Sequence, residues 1–310
     1  MALWSNLAGT VLGYFRLGLT GVRLKNSAGE LAVRTAGDTA DAKVQIADGT
    51  AANHAVSKGQ LDTKQPLDAT LTAISDETLG AFSHRNKIIN GGFAVNQRVY
   101  VSGAAVGALL YGHDRWKMAA SADTYTFSTT ANKTTVTIPA GKVLRQVIEG
   151  LNLQTGTYVL SWEGTAQGKI GAGSYGASGI TGSITGGTNT TIEFNTGTVA
   201  NVQLELGSVV TPFELRPIGT ELALCQRYYE VGWGRSYGYS VASGLVGYVG
   251  SYFAVKRATP TIVLTNYFAS NTTTQSMLDT NETSNFSAYR TTSATGPTNF
   301  IDIWTASAEL

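Results

Sequence analysis

The chain has one cysteine, three histidines, six prolines and only 14% charged residues across 310 positions, and each shortage removes a class of explanation. With Cys225 alone, no disulfide can form within one chain, so packing rather than covalent staples must hold the fold. Cys225 stands in an apolar local sequence and reads as a buried thiol, not a nucleophile or metal ligand. His54, His84 and His113 are too scattered for a zinc signature, and a lone catalytic base needs a nucleophile that no motif supplies. The formal net charge is +1, without the concentrated basic surface that nucleic-acid binding requires. Arg16, Arg23, Lys25 and Arg34 form the densest basic stretch and are expected to face solvent or an assembly partner. No apolar run is long enough to cross a bilayer, and no N-terminal stretch has the pattern of a secretory signal.

Carboxylates are few enough to follow individually. Glu163, Glu193 and Glu205 would act as general acids or metal ligands only if folding gathered them, because glycoside hydrolysis needs two carboxyl groups at a set separation and calcium needs a clustered oxygen shell. The sequence shows neither arrangement. No Gly-rich phosphate loop stands in a strand-to-helix setting, and no serine nucleophile elbow is present. A non-enzymatic chain without a cofactor is the expectation.

Against these shortages stand 36 glycines and 14 tyrosines. Glycine with short Ser, Thr and Asn tracts marks turns between short strands, while tyrosine buries a ring and presents a hydroxyl. The length permits about two domains and a sizeable core. Partial two-residue alternation over Tyr14-Phe-Arg-Leu-Gly-Leu19 and Val22-Arg-Leu24, with Leu31-Ala-Val33, predicts short strands near the N terminus. So little core predicts packing against other chains, and Trp4 either covers a local core or serves as an aromatic anchor.

From Ala55 the pattern changes. Leu67, Leu71, Ile74, Thr78 and Ala81 are spaced by four, three, four and three residues, which aligns one face of a short helix or helical bundle. Pro66 suits its start and Gly80 its end. Strands return in Thr135-Val-Thr-Ile138, Tyr158-Val-Leu-Ser-Trp162 and Thr191-Ile-Glu-Phe194. Further on, Val202, Leu204 and Leu206 share one face and Gln203 and Glu205 the other. Gly171 to Gly179 predicts a loop or strongly turned sheet. Glu221 to Tyr229 predicts a helical turn with Leu222, Cys225 and Tyr229 on one packing face, broken off upstream by Pro217 and Gly219. Ser251-Tyr-Phe-Ala-Val255, Pro260-Thr-Ile-Val-Leu264 and Phe300-Ile-Asp-Ile-Trp304 predict later strands, with Asn271-Thr-Thr-Thr-Gln275 a loop tip.

Two groups of side chains could carry binding. His113-Asp-Arg-Trp116 is locally polar and aromatic and reads foremost as a structural network. Trp233, Tyr237, Tyr239, Tyr248 and Tyr252 punctuate a Gly-rich stretch, and aromatic faces stack on sugar rings while nearby hydroxyl and amide groups orient the sugar. The same interleaving would also suit a β core or a trimer seam. Trp304 reads as terminal core.

Several strings carry a resemblance. Thr211-Pro-Phe-Glu214 followed by Glu221-Leu-Ala-Leu-Cys-Gln-Arg-Tyr-Tyr229 resembles a junction that recurs in tail-fibre proteins of tailed bacteriophages. Asn86-Lys-Ile-Ile-Asn-Gly-Gly-Phe93, Asn96-Gln-Arg98 and His113 to Trp116 look like the opening of the jelly-roll-like, carbohydrate-binding-like module of such proteins. Tyr158 to Gly164 and Asn201 to Gly207 resemble its later strands, Phe300 to Leu310 resembles a fibre terminus, and Leu12 to Lys25 looks like an N-terminal segment of phage structural proteins. The resemblance implies a mainly β, elongated multidomain fibre with a short helical neck and a jelly-roll-like β-sandwich distal region. Its parts would be a virion-attachment region (1–54, with Trp4, Tyr14, Phe15 and Arg16), a trimerisation neck (55–85), a jelly-roll-like domain (86–219) and a β-rich fibre tip (220–310). Such a homotrimer would be assembled in the host cytoplasm onto phage tail or baseplate proteins. It would attach the virion to a bacterial surface polysaccharide or outer-membrane protein, without catalysis. A structural collar, whisker or tail-joining protein and a polysaccharide depolymerase are the alternatives.

Overall fold

A computed structural model describes residues 14–16, 21–27, 30–42, 84–107, 110–274 and 276–310. The chain divides into two compact units, Met1–Asp68 and Ala69–Leu310. It is mainly β, with antiparallel sheets throughout and one α-helix among the described residues.

In the first unit β1 (Tyr14–Arg16), β2 (Arg23–Ser27) and β3 (Glu30–Arg34) form one three-stranded sheet. Asp38 turns the chain back after β3 with a φ of 57°, and its carboxylate accepts Lys25 at 2.8 Å and Arg34 at 3.0 Å. Arg34 also pairs with Asp41. Two of the cations expected to face solvent or a partner are thus neutralised within their own sheet. The five positions predicted to form the neck, Leu67, Leu71, Ile74, Thr78 and Ala81, lie outside the described residues, as does Trp4.

The second unit begins with a β-sandwich-like module. Its strands are β4 (Lys117–Met118), β5 (Thr126–Thr130), β6 (Lys133–Ile138), β7 (Leu144–Ile148), β8 (Gly156–Glu163), β9 (Gly168–Ile170), β10 (Ile180–Ile184), β11 (Thr190–Phe194) and β12 (Gly197–Leu206). They make a five-stranded sheet in the order β10-β8-β12-β6-β5 and a four-stranded sheet in the order β4-β7-β11-β9. Alternation buries one face of each sheet, so that Val136, Tyr158, Leu160 and Leu204 meet Leu144, Ile148, Ile192 and Phe194 in a shared core closed by Trp116.

Alternation fails informatively on β12. Gln203 and Glu205, expected on the solvent side, are only 1% and 2% exposed. The cause is the Thr211-Pro-Phe-Glu214 string, which folds back over them. Thr211 donates its backbone N–H and its hydroxyl to the Glu205 carboxylate at 2.9 and 2.6 Å, and the Glu214 N–H donates to Gln203 at 2.8 Å. The Glu214 carboxylate accepts the Asn86 N–H at 2.8 Å, and the Asn86 side chain bridges the Val202 carbonyl and the Leu204 N–H. Gly91 lies so close that an added Cβ would sit 2.2 Å from the Val202 carbonyl oxygen, which explains a glycine in Asn86-Lys-Ile-Ile-Asn-Gly-Gly. The strings that carry the family resemblance form a polar clasp in which buried groups satisfy one another.

After the clasp comes α1 (Ile218–Gln226), three residues earlier than predicted. Glu221 accepts the Asn90 N–H and pairs with Arg216, tying the helix to the first module. Cys225 is fully buried and packs with Tyr228, Ile89 and Val95. The predicted partner Tyr229 is instead the first residue of a strand, because the helix stops at Gln226 and Tyr228 takes the inward position. The rest of the unit comprises β13 (Tyr229–Ser240), β14 (Leu245–Ser251), β15 (Thr261–Ser270), β16 (Met277–Asn281), β17 (Asn285–Thr291) and β18 (Gly296–Ser307), in two three-stranded sheets ordered β13-β18-β15 and β14-β17-β16. Ser251 to Val255 was predicted to be a strand, but only Ser251 belongs to one. The following loop wraps around Lys256, whose fully buried ammonium pairs with Glu230 and donates to the Gln226 carbonyl. That charge pair and isolated backbone hydrogen bonds from Tyr252 and Lys256, not a strand ladder, hold the segment.

Candidate functional site

The two sheets of residues 229–307 enclose Phe286, Ala288, Trp304 and Ala306. Along β18 the even-numbered residues Thr298, Phe300, Asp302, Trp304 and Ala306 are buried and point inward. Period two therefore turns Ile301, Ile303, Thr305 and Ser307 outward. The flanking strands follow the same register: Trp233 and Thr265 both pair with Ile303, and Arg235 and Phe268 both pair with Ile301.

This outer face is aromatic. Trp233, Tyr237 and Tyr239 on β13 are 61%, 74% and 73% exposed. Across β18, a bulge between Asn266 and Phe268 breaks the alternation of β15 and leaves two consecutive aromatics, Tyr267 and Phe268, exposed. Tyr267 meets Trp233 edge to face, with ring centroids 4.9 Å apart. The sequence reading missed both β15 aromatics. Their adjacency was visible, but the bulge that makes both of them exposed is set by pairing with β18.

The expected grouping of five aromatics is corrected for two members. Tyr248 and Tyr252 face the interior, where they pack on Phe286, Phe300 and Trp304. The Tyr248 hydroxyl donates to Asp302 at 3.2 Å and that of Tyr252 to Asn281 at 3.3 Å. Burial raises both phenols, Tyr252 to about 12, so their hydroxyls remain donors at neutral pH. Both tyrosines serve the core, whereas Trp233, Tyr237 and Tyr239 lie on the outer face of the opposite sheet. Tyr14, Phe15 and Arg16 make up β1 of the first unit.

No family model matches the chain, and no curated protein matches it in sequence. Among solved structures it is similar to discoidin II of Dictyostelium discoideum, at 8% identity over 76% of this chain and 96% of that one, with a TM-score of 0.21.

The His113-Asp-Arg-Trp116 string is internal. The Tyr125 hydroxyl accepts the His113 N–H at 2.6 Å and lies 2.7 Å from the His113 Nδ1, within hydrogen-bond reach. Burial lowers the His113 pKa to about 4. Asp114 accepts the Gln97 N–H at 2.6 Å, and Trp116 Nε1 donates to the Asn90 carbonyl at 2.8 Å. Arg115 reaches across to Glu309 and lies over the Tyr228 ring at 3.6 Å. Arg98 also donates to Glu309, at 3.1 Å. The Phe300 to Leu310 string thus docks on the first module through Glu309.

The three carboxylates considered for catalysis have separate partners. Glu163 pairs with Lys133, Glu193 with Lys169 and Arg145, and Glu205 with Arg85 and Thr211. Among the described residues, no group of three His, Cys, Asp or Glu is placed to hold a metal ion.

Proposed function

We propose that this chain is a tail-fibre attachment protein of a tailed bacteriophage, which binds a bacterial surface polysaccharide without modifying it. The observation that carries this reading is the exposed Trp233–Tyr267 pair, flanked on the same sheet face by Tyr237, Tyr239 and Phe268. Soluble monomers rarely expose a large contiguous apolar patch, and aromatic planes edged by hydroxyls suit the faces of sugar rings. The family resemblance supplies the setting. In this reading the chain is a homotrimeric, elongated fibre. Its first 54 residues join phage tail or baseplate proteins, residues 55–85 align three chains, and the 220–310 region forms the tip. Three weak contacts on one particle hold longer than one because rebinding is local.

Binding of the purified, mass-verified protein to candidate host cells, before and after selective removal of surface polysaccharide, tests the reading. Loss of binding on removal is the expected result. Binding that survives removal assigns the receptor to an outer-membrane protein. Absence of binding in both states, with stable association to other virion proteins, assigns the chain to a collar, whisker or tail-joining role. Shortened polymer after incubation assigns it to the depolymerases.

A further inference from the structure

The aromatic face does not end at Trp233. Side chains recur on one sheet face every two residues, so the rows Val231–Thr305–Val263 and Tyr229–Ser307–Thr261 continue it toward the 86–219 module. There the sheet meets a wall supplied by that module. Arg98, Leu110 and Tyr111 rise beside Tyr229, Thr261, Val263, Thr305 and Ser307 and enclose a cleft of about 370 Å³. Its size lies at the small end of the roughly 300–1,000 Å³ range of ligand pockets.

The wall is fixed before any ligand arrives. The Arg98 guanidinium lies 3.6 Å from the Tyr229 ring centroid and 4.9 Å from that of Tyr111. Its charge is held by Glu309 at 3.1 Å and Asp114 at 3.6 Å, and the Tyr111 hydroxyl donates to the Leu310 backbone oxygen at 2.7 Å. A wall locked by such contacts loses little side-chain freedom on binding. The chemistry of the lining then selects the ligand. Among the described residues no carboxylate lines the cleft, and Arg98 already has two anionic partners, so an anionic group finds no uncompensated charge there. The Thr261 and Ser307 hydroxyls can donate and accept, the Thr305 hydroxyl is hydrogen-bonded to that of Tyr229, and Leu110 and Val263 offer apolar contact. A neutral ring with hydroxyls at its edge and an apolar face fits this set.

We propose that the cleft is a composite subsite, built by both β modules, that takes the neutral terminal sugar of a polysaccharide whose following units lie on Trp233 and Tyr267. This rests on the attachment reading and deepens it. The Tyr229 and Trp233 rows are four residues apart on one strand, roughly 14 Å. More than one sugar unit is therefore needed to span them, and affinity rises with oligosaccharide length.

The test uses the full chain and oligosaccharides of graded length prepared from host-cell polysaccharide, with matched neutral and uronic-acid oligosaccharides as further probes, in isothermal titration. Thr261→Trp fills the cleft, Ser307→Phe fills it from the neighbouring strand, and Trp233→Ala removes the platform. Each is expected to weaken binding of the longest fragment by about tenfold or more. Filled variants that keep the wild-type unfolding midpoint and bind as wild type, while Trp233→Ala loses binding, overturn the composite subsite and leave the attachment reading standing. Wild-type protein that binds no fragment of any length fails the attachment reading and the subsite together. Affinity that does not rise from disaccharide to pentasaccharide overturns the groove whatever the variants do. Neutral oligosaccharides are expected to bind equally from about 50 to about 500 mM salt, and a preference for uronic acids that collapses with salt overturns the neutral class.

Discussion

The two β modules of the second unit hold themselves together by different means. The 86–219 module gathers most of a cluster of twenty-two buried apolar residues between its sheets, whereas the corresponding cluster of the C-terminal module has four. The interior of the smaller module carries buried charge pairs beside its few apolar residues. Lys256 pairs with Glu230, and Arg290 pairs with Asp302 while lying over the Phe300 ring at 4.6 Å. It also leans on its neighbour through Glu309. The aromatics it does not bury inside are displayed outside. A module that spends Trp233, Tyr237, Tyr239, Tyr267 and Phe268 on its surface has fewer large side chains for its core, and directional polar contacts take their place. The difference separates a module with a large apolar core from one that exposes its aromatics.

The comparison breaks most easily at Lys256. Replacing it with Met leaves Glu230 charged, buried and unpaired, and is expected to cost about 3–5 kcal/mol in denaturant unfolding, with most of the loss recovered when Glu230→Leu is added. A cost below about 1 kcal/mol for the single change would show that the module does not depend on its buried pair.

Phe194→Ala probes the apolar scaffold, since Phe194 is fully buried against Trp162 and Trp116. The expected cost is about 3–4 kcal/mol, with no partial recovery available from a second polar change.

Acid should weaken the scaffold through His113. Its folded pKa is about 4, against about 6.5 unfolded, so the unfolded chain takes up a proton that the folded chain refuses. Stability is then full above about pH 6.5 and falls by up to about 3 kcal/mol as pH drops toward about 4. Burial raises the Asp114 pKa, which favours the folded state at the acid end and reduces the net loss there. His113→Asn keeps a hydrogen-bonding partner for the Tyr125 hydroxyl and should flatten the slope of unfolding midpoint against pH between about 6.5 and 4.5. An unchanged slope would locate the acid sensitivity elsewhere.

The smallest effect on stability belongs to the presenting surface. Trp233→Ala should move the unfolding free energy by less than about 0.5 kcal/mol, while binding to polysaccharide-bearing cells falls by about tenfold. A large loss of stability there would recast the exposed face as part of the core of an assembly.

Much of the chain's architecture is legible without coordinates. The alternation in Thr135–Ile138 and Thr191–Phe194, the proline before β15 and the apolar setting of Cys225 all place their elements correctly. Pattern failed where a neighbour distant in sequence decided the outcome. Gln203 and Glu205 have the spacing of a solvent face, yet the Thr211–Glu214 strap covers them. Tyr237 and Tyr248 carry the same local signal, a tyrosine beside a glycine, yet one ends on the outer face of its sheet and the other on the inner face of the opposing sheet.

Sequence alone determined the mainly β character, the absence of an intrachain disulfide and the supply of aromatics in the C-terminal third, because periodicity and composition are local properties. Tertiary structure alone decided which aromatics are displayed, that Tyr267 joins Trp233, and that Arg98 and Tyr111 wall a cleft beside β18. Those outcomes depend on strand register, on one bulge and on the meeting of two modules. Each brings together residues far apart along the chain.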